Sequence, residues 1–325
     1  MPDDIWHGGD CETRIGRRLD KDTAPLSWRA AEFLTLTINP TQERRERNKL
    51  GNPAIRKNPL DPTRSRKGFF RLAAELVLDA DTRQLPIWLA AGMGGALAPT
   101  ENADDPDLFD HVFESGSKVE QYFDIVVKVG DNDFRLYEGL TIGQISTQFT
   151  GENTQDFNIN ISLQGMRRKR LNAWPAGAVA AIPTEGAVLR ALFTVDGDAA
   201  SNILGGSFSF GRTLQEGIFL SATPTISSLR PNGAQHSGSA NYRAIGKDFD
   251  IMEEDETPFA AAFDLLGVID GHLIRLEHPQ AQLSASPLPI NGAGAIERTL
   301  NWTPYQTGAA GAARITITND IETYA

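Results

Sequence analysis

The chain has a single cysteine, Cys11, in 325 residues. It can form no internal disulfide and no cysteine-based zinc site, which fits assembly in a reducing compartment. No run approaches the roughly 18 apolar residues that span a bilayer as a helix. Residues 1–14 are polar and acidic, unlike a signal peptide. A protein made in the cytoplasm, with no membrane anchor, is expected. Positive charge is in deficit: 31 Lys and Arg stand against 42 Asp and Glu, a net charge of −11. Tight nucleic-acid binding needs clustered cations to neutralise phosphates, so this balance argues against it.

Catalytic and metal-binding motifs are also missing. His7, His111, His236, His272 and His278 form no HExxH or other ligand spacing. His272 and His278 share side-chain parity on a predicted strand and read as ordinary surface or rim histidines. There is no GxSxG elbow and no P-loop. Gly92, Met93, Gly94 and Gly95 follow a predicted helix and read as its stop. The acidic groups Glu253, Glu254, Asp255 and Asp104, Asp105 fall in or beside predicted loops, where carboxylates are solvated. Asn160 and Asn301 head N-x-[ST] triplets but sit on predicted strands of a chain with no secretion signal. No catalytic residue, metal ligand or cofactor site is assigned, and an enzyme is the class least supported.

What is present is β-structure. At roughly 100–200 residues per domain the length suggests two domains. Residues 1–27 lack periodicity and read as an N-terminal arm. Residues 33–38 read as a strand ending at the turn signal Asn39-Pro40, and 41–67 as a long charged loop holding Pro53, Pro59 and Pro62. Over 69–79, Leu72, Ala74, Leu76 and Leu78 recur with period two, a strand with one apolar face. A short helix is expected from Pro86 to the stop at Gly92. A meander follows: strands at 122–129, 134–137, 140–149 and 157–163, the last alternating Phe157, Ile159, Ile161 and Leu163 with Asn158, Asn160, Ser162 and Gln164. Residues 165–190 read as a connector.

The second half repeats this order. A strand is expected at 206–210, a loop at 212–236 and a strand at 237–250. A helix opened by Thr257-Pro258 should place Phe259, Ala262, Phe263 and Leu266 on one face and stop at Gly267. Strands at 273–276, 295–302 and 314–318 close the chain. The expected organisation is an arm (1–27), a first domain (28–180) and a second (181–325), mainly β, each domain a β-sandwich or barrel with a short flanking helix.

One local charge signal stands out. Arg44, Arg45, Arg47, Lys49, Arg56, Lys57, Arg64, Arg66 and Lys67 crowd the 41–67 loop, opposed by Glu43, Glu46 and Asp61 alone. Nucleic-acid binding, a solvated loop without a role, and docking on the acidic surface of an identical neighbour all fit. Docking is favoured, because an acidic body with a basic arm is complementary to itself head to tail. Such heterologous contacts build filaments, with charge steering the encounter.

Several runs carry a family resemblance. GFFRLAAELVLDADTRQLPIWLAAGMG (68–94), FRLYEGLTIGQISTQFTGENTQDFNINISLQGM (134–166), the stretch 271–305 and the final ITITND (315–320) resemble segments of bacteriophage tail tube proteins of the long, non-contractile type. The resemblance spans roughly 28–325 and implies a tube-type sandwich or barrel present twice. It further implies homotrimeric rings of pseudo-sixfold symmetry that self-assemble into a hollow tube in the virion tail. That tube would carry DNA from capsid to host without binding it specifically. Implied partners are other copies of the chain, tail terminator and tail tip proteins, and a tape measure protein in the lumen. The loop after the first strand would reach the next ring. A tail terminator or other minor ring protein is the nearest alternative. A tandem carbohydrate-binding module, with Trp88, Trp174 and Trp302 as sugar platforms, is an alternative of another class.

Overall fold

A computed structural model of the chain describes residues 11–45, 66–93, 99–116, 121–150, 157–181, 183–218, 225–243, 248–285, 287, 296–308 and 311–324. The fold is mainly β. Strands β1 (Cys11–Arg17), β2 (Ser27–Ala30), β3 (Thr35–Arg45) and β4 (Arg66–Asp79) precede helix α1 (Leu85–Gly92). Then come β5 (Thr100–Glu101), β6 (Phe109–Glu114), β7 (Phe123–Val129), β8 (Asp133–Thr150), β9 (Asn158–Gly165), β10 (Arg167–Leu171) and β11 (Ala178–Ala180). The remainder holds β12 (Val188–Val195), β13 (Asp198–Ala199), β14 (Ile203–Gly217), β15 (Ser228–Arg243), helix α2 (Asp248–Glu254), β16 (Phe259–Gly267), β17 (Leu273–Ser284), β18 (Glu297–Pro304) and β19 (Arg314–Asn319).

One long antiparallel sheet runs β3–β4–β9–β8–β14–β15–β18–β17. Two further sheets accompany it. One is β11–β2–β1–β7–β8–β10; the other is β13–β12–β16–β17–β19–β6–β5. β8 and β17 each serve two sheets, turning the corner between them. At the corner of β8, Gly139 has φ +65°, a backbone conformation that favours glycine.

The ladders recur along the chain. The pairings β1–β2, β1–β7, β3–β4, β4–β9, β7–β8, β8–β9 and β8–β10 reappear in order as β12–β13, β12–β16, β14–β15, β15–β18, β16–β17, β17–β18 and β17–β19. One irregularity recurs as well: β7 is bulged between Phe123 and Ile125 opposite β8, and β16 between Phe259 and Ala261 opposite β17.

Several expectations change. Cys11–Arg17, within the expected arm, is a strand paired along its length with β7. The turn signal Asn39-Pro40 is overridden, because β3 pairs with β4 on one side and an edge strand tolerates proline. The expected loop 41–67 is partly strand, since β3 runs to Arg45 and β4 starts at Arg66. Likewise 212–236 is largely the β14–β15 hairpin. The expected connector 165–190 contains β10 and β11.

The expected helix from Thr257 to Gly267 is instead strand β16, and the helix lies earlier, at Asp248–Glu254. β16 is paired on both edges, with β12 and β17, and Phe259, Ala261, Ala262, Phe263 and Leu265 are all buried. Burial on both faces erases the alternation that marks a strand. α2 is held by Phe249, edge-on to Tyr242 at 5.1 Å, and by Asp250 and Glu253, which both bind the Arg298 guanidinium. α1 lies where the proline and glycine place it, with Trp88 and Leu89 fully buried.

Candidate functional site

The long sheet has two unlike faces. One supplies the core, including Leu76, Ile161, Ile145 and Phe210, consecutive across the ladders. One residue out of phase, the opposite face aligns Thr35, Val77, Asn160, Ser146, Ser209 and Ser237 on successive strands. The next row aligns Gln148, Ser207, Ser239 and Asn301. Period-two strands must do this once one face is buried.

This second face is polar without charge over its centre. β9 contributes Asn158, Asn160, Ser162 and Gln164; β8 contributes Gln144, Ser146, Gln148 and Thr150; β14 contributes Ser207 and Ser209; β15 contributes Gln235, Ser237, Ser239 and Asn241. Cross-strand bonds tie it together. Gln144 Nε2 donates to Ser209 Oγ at 3.0 Å, the Ser207 and Ser239 hydroxyls lie 2.7 Å apart, and Thr299 Oγ1 donates to Asn241 Oδ1 at 2.6 Å. Charge appears toward the margins: Arg71, Glu75 and Asp79 on β4, and Arg243 with Glu297 at the far side. Arg71 binds Glu43 and, at 3.0 Å, Glu216; Arg243 meets Glu297 at 3.2 Å.

The face is continuous because β8 pairs with β14, from Gln144 opposite Gly211 to Thr150 opposite Gly205. Around that joint, Phe149 packs on Phe263 with ring centroids 4.7 Å apart, a contact type that adds about 0.5–1.5 kcal/mol beyond its buried area. Tyr122 Oη accepts from the Leu229 amide at 3.0 Å and donates to its carbonyl at 3.2 Å. Arg212 reaches from β14 to the carbonyls of Ile142 and Gly92, each at 2.6 Å, and to the Thr141 hydroxyl at 2.7 Å. Burial lowers its pKa to about 10, so it stays charged at neutral pH and satisfies the Gly92 carbonyl at the end of α1.

Of the basic residues singled out in the sequence, Arg44 and Arg45 lie on β3 opposite Lys67 and Arg66 on β4, at the end of a long hairpin. Arg47, Lys49, Arg56, Lys57 and Arg64 lie outside the described residues. Of the described histidines, His236 and His278 lie close enough to repel each other when charged. His272 meets Thr82 Oγ1 at 2.9 Å, and His278 accepts from Trp302 Nε1 at 2.9 Å. Both are buried, not the surface or rim residues expected. Among the described residues no group of His, Cys, Asp and Glu could hold a metal ion. Trp88 and Trp302 are 1% and 3% exposed, so neither offers a platform to a sugar. Trp174 is covered by the Arg14 guanidinium at 3.8 Å and packs on Phe134. No helix among the described residues is long and apolar enough to cross a membrane.

A model of the phage tail tube protein family matches residues 13–304. The chain belongs to the phage tail tube protein family. Its role is therefore structural, in the tube of a virion tail. The match starts inside β1 and ends at the last residue of β18, so it takes in strands of every sheet. No curated protein matches the chain.

The polar face was half visible in the sequence. The alternation over 157–163 shows it on β9. On β14 and β15 the signal is the alternation of serine with phenylalanine or glycine at Ser207, Ser209, Ser237 and Ser239, where glycines thin out the apolar phase.

Proposed function

We propose that the uncharged face of the long sheet lines the lumen of the tail tube and that DNA slides past it. The observation that carries this reading is the unbroken row of Ser, Thr, Asn and Gln across β9, β8, β14 and β15. DNA presents about one negative charge per 1.7 Å of axis, and cationic walls hold it by releasing counterions. Hydroxyl and amide groups offer no such term, so they wet the channel without gripping its cargo.

The recurring ladders support two tandem tube domains. The sequence boundaries are 28–180 and 181–325; strand pairing favours starting the first at Cys11, and the second near Val188. Three such chains would give a ring of pseudo-sixfold symmetry. Rings would stack through the basic hairpin end, with Arg44, Arg45, Arg47, Lys49, Arg56, Lys57, Arg64, Arg66 and Lys67 meeting the acidic body of the next ring. The finished tube would join tail terminator and tail tip proteins and enclose a tape measure protein.

The test is charge in the row. In a phage carrying Asn160→Lys, Ser146→Lys and Ser209→Lys, tubes form but DNA delivery falls by at least about tenfold, an effect relieved by raised salt. Normal delivery through assembled variant tubes would show that this face does not meet the DNA.

A further inference from the structure

In a chain of net charge −11, β10 opens with a run of cations, Arg167, Arg168, Lys169 and Arg170. The last three are exposed. Lys169 meets Glu138 at 2.8 Å and Arg170 lies 3.8 Å from Asp133. Arg167 and Arg168 have no acidic partner among the described residues. β10 pairs with β8 along one edge, and among the described residues no strand pairs with the other.

The ladder correspondence shows what covers such an edge. β10 on β8 corresponds to β19 on β17. Leu136 faces Val126 as Glu277 faces Ala262, in each case just past the matching bulge, so Lys169 opposite Leu136 answers to Arg314 opposite Glu277. The outer edge of β19 is occupied by β6, antiparallel, with Glu114 opposite Arg314 and bound to it at 2.6 Å. Thr318 Oγ1 donates to Asp110 of the same strand at 2.6 Å. A short strand carrying acids therefore covers this edge in the second half. β6 belongs to the connection 93–122 between α1 and β7, whereas the corresponding connection between α2 and β16 is only residues 255–258. A neighbouring copy has no equivalent strand to lay on β10.

We propose that the outer edge of β10 receives an extended acidic segment of a different protein, laid antiparallel with an Asp or Glu opposite Lys169, as β6 lies on β19. Cations along the edge repel a second copy of that edge, one of the devices that keep free edges from aggregating. The same cations attract an acidic strand and fix its register. Main-chain bonds of the added strand supply affinity, and its side chains supply selectivity. The sheet holding β10 packs on the buried face of the long sheet, with Ile125 and Leu76 in one core. With the polar face toward the lumen, β10 lies on the outside of the tube. That placement rests on the lumen reading; the pairing does not.

The probe is a fluorescein-labelled heptapeptide of alternating Glu and Val, with a control in which the central Val is Pro, which cannot extend a ladder. Anisotropy should show the heptapeptide binding the full chain. Arg168→Gln, Lys169→Gln and Arg170→Gln together should weaken it by at least about tenfold, with the fold retained by circular dichroism. In the unsubstituted protein, deuterium exchange at the β10 amides should slow when the peptide binds. Unchanged affinity in the variant, unchanged exchange at β10, or equal binding of the Pro control would each overturn the proposal. A DNA duplex that takes these cations while the peptide does not would overturn the choice of partner. Assembled tubes should bind the peptide as the free chain does. Binding lost on assembly would mean that a neighbouring copy covers the edge, which overturns the external partner and leaves the lumen reading standing. Failure of the lumen reading, with another face walling the channel, would leave peptide binding by the free chain intact.

Discussion

Arg18→Met is expected to cost about 3–5 kcal/mol of stability, the range for removing one partner from a buried ion cluster. Arg18 follows β1, in the region whose sequence reads as an arm, and its side chain is 5% exposed. It grips Asp124 through two bonds, of 2.5 and 2.8 Å, and reaches Glu138 at 3.3 Å. Asp124 also accepts the Gly139 amide at 2.9 Å, at the corner of β8, so the cluster fixes the point where β8 leaves one sheet for another. Burial pushes the Asp124 carboxyl up even with Arg18 in place. Without the cation that shift grows. The folded variant then holds a proton that the unfolded chain releases, and its stability falls as pH rises above the ordinary carboxylate range. Denaturant midpoints of the variant and parent should therefore differ most near pH 7 and less near pH 4. A double variant, Arg18→Met with Asp124→Leu, should recover much of the loss. A neutral single variant would return residues 11–18 to the status of a detachable arm.

Acid should weaken the second half of the chain through His278. Its ring is fully buried, stacked on Phe208 at 4.6 Å, and its Nδ1 accepts from Trp302, so it is held neutral. Burial, with the nearby His236 adding repulsion, pushes its pKa down to about 3. The unfolded chain, with an ordinary value near 6.5, takes the proton first. Stability is therefore complete above about pH 6.5 and declines by about 1.4 kcal/mol per pH unit below it, until the folded value is reached. Between pH 7.5 and 5 the loss from this group is about 2 kcal/mol, in a window above most carboxylate titrations. His111, His236 and His272 are shifted down by burial as well and act in the same direction. Chemical denaturation at both pH values checks this. His278→Gln should reduce the pH-dependent difference by about 2 kcal/mol, and a variant with the parent's pH dependence would refute the assignment.

These two clusters show where sequence patterns carry structural information and where they do not. The strand containing Leu72, Ala74, Leu76 and Leu78 is legible because one face is buried and the other wet. The α1 helix is legible because Pro86 and Gly92 punctuate it. β16 is not, because Phe263 packs between Phe193 on one neighbouring strand and Leu276 on the other, and two-sided burial leaves no period to find. β1 is too short and too charged to stand out; Ile15 is buried on it, and its partner β7 lies more than a hundred residues away. Pro40 misleads because local chemistry does not reveal which edge of a strand faces outward. The candidate wall of the lumen needed the ladders, since serines at 146, 209 and 237 become one surface only when β8, β14 and β15 lie side by side.

The central claim is that this polar face forms the wall of a tube. Electron cryo-microscopy of the assembled full chain tests it most directly. The account predicts stacked rings of three chains, the basic hairpin end touching the next ring, and Asn160, Ser146, Ser209 and Ser237 lining the channel. A tube whose channel is walled by another sheet face, or isolated rings that do not stack, would contradict it.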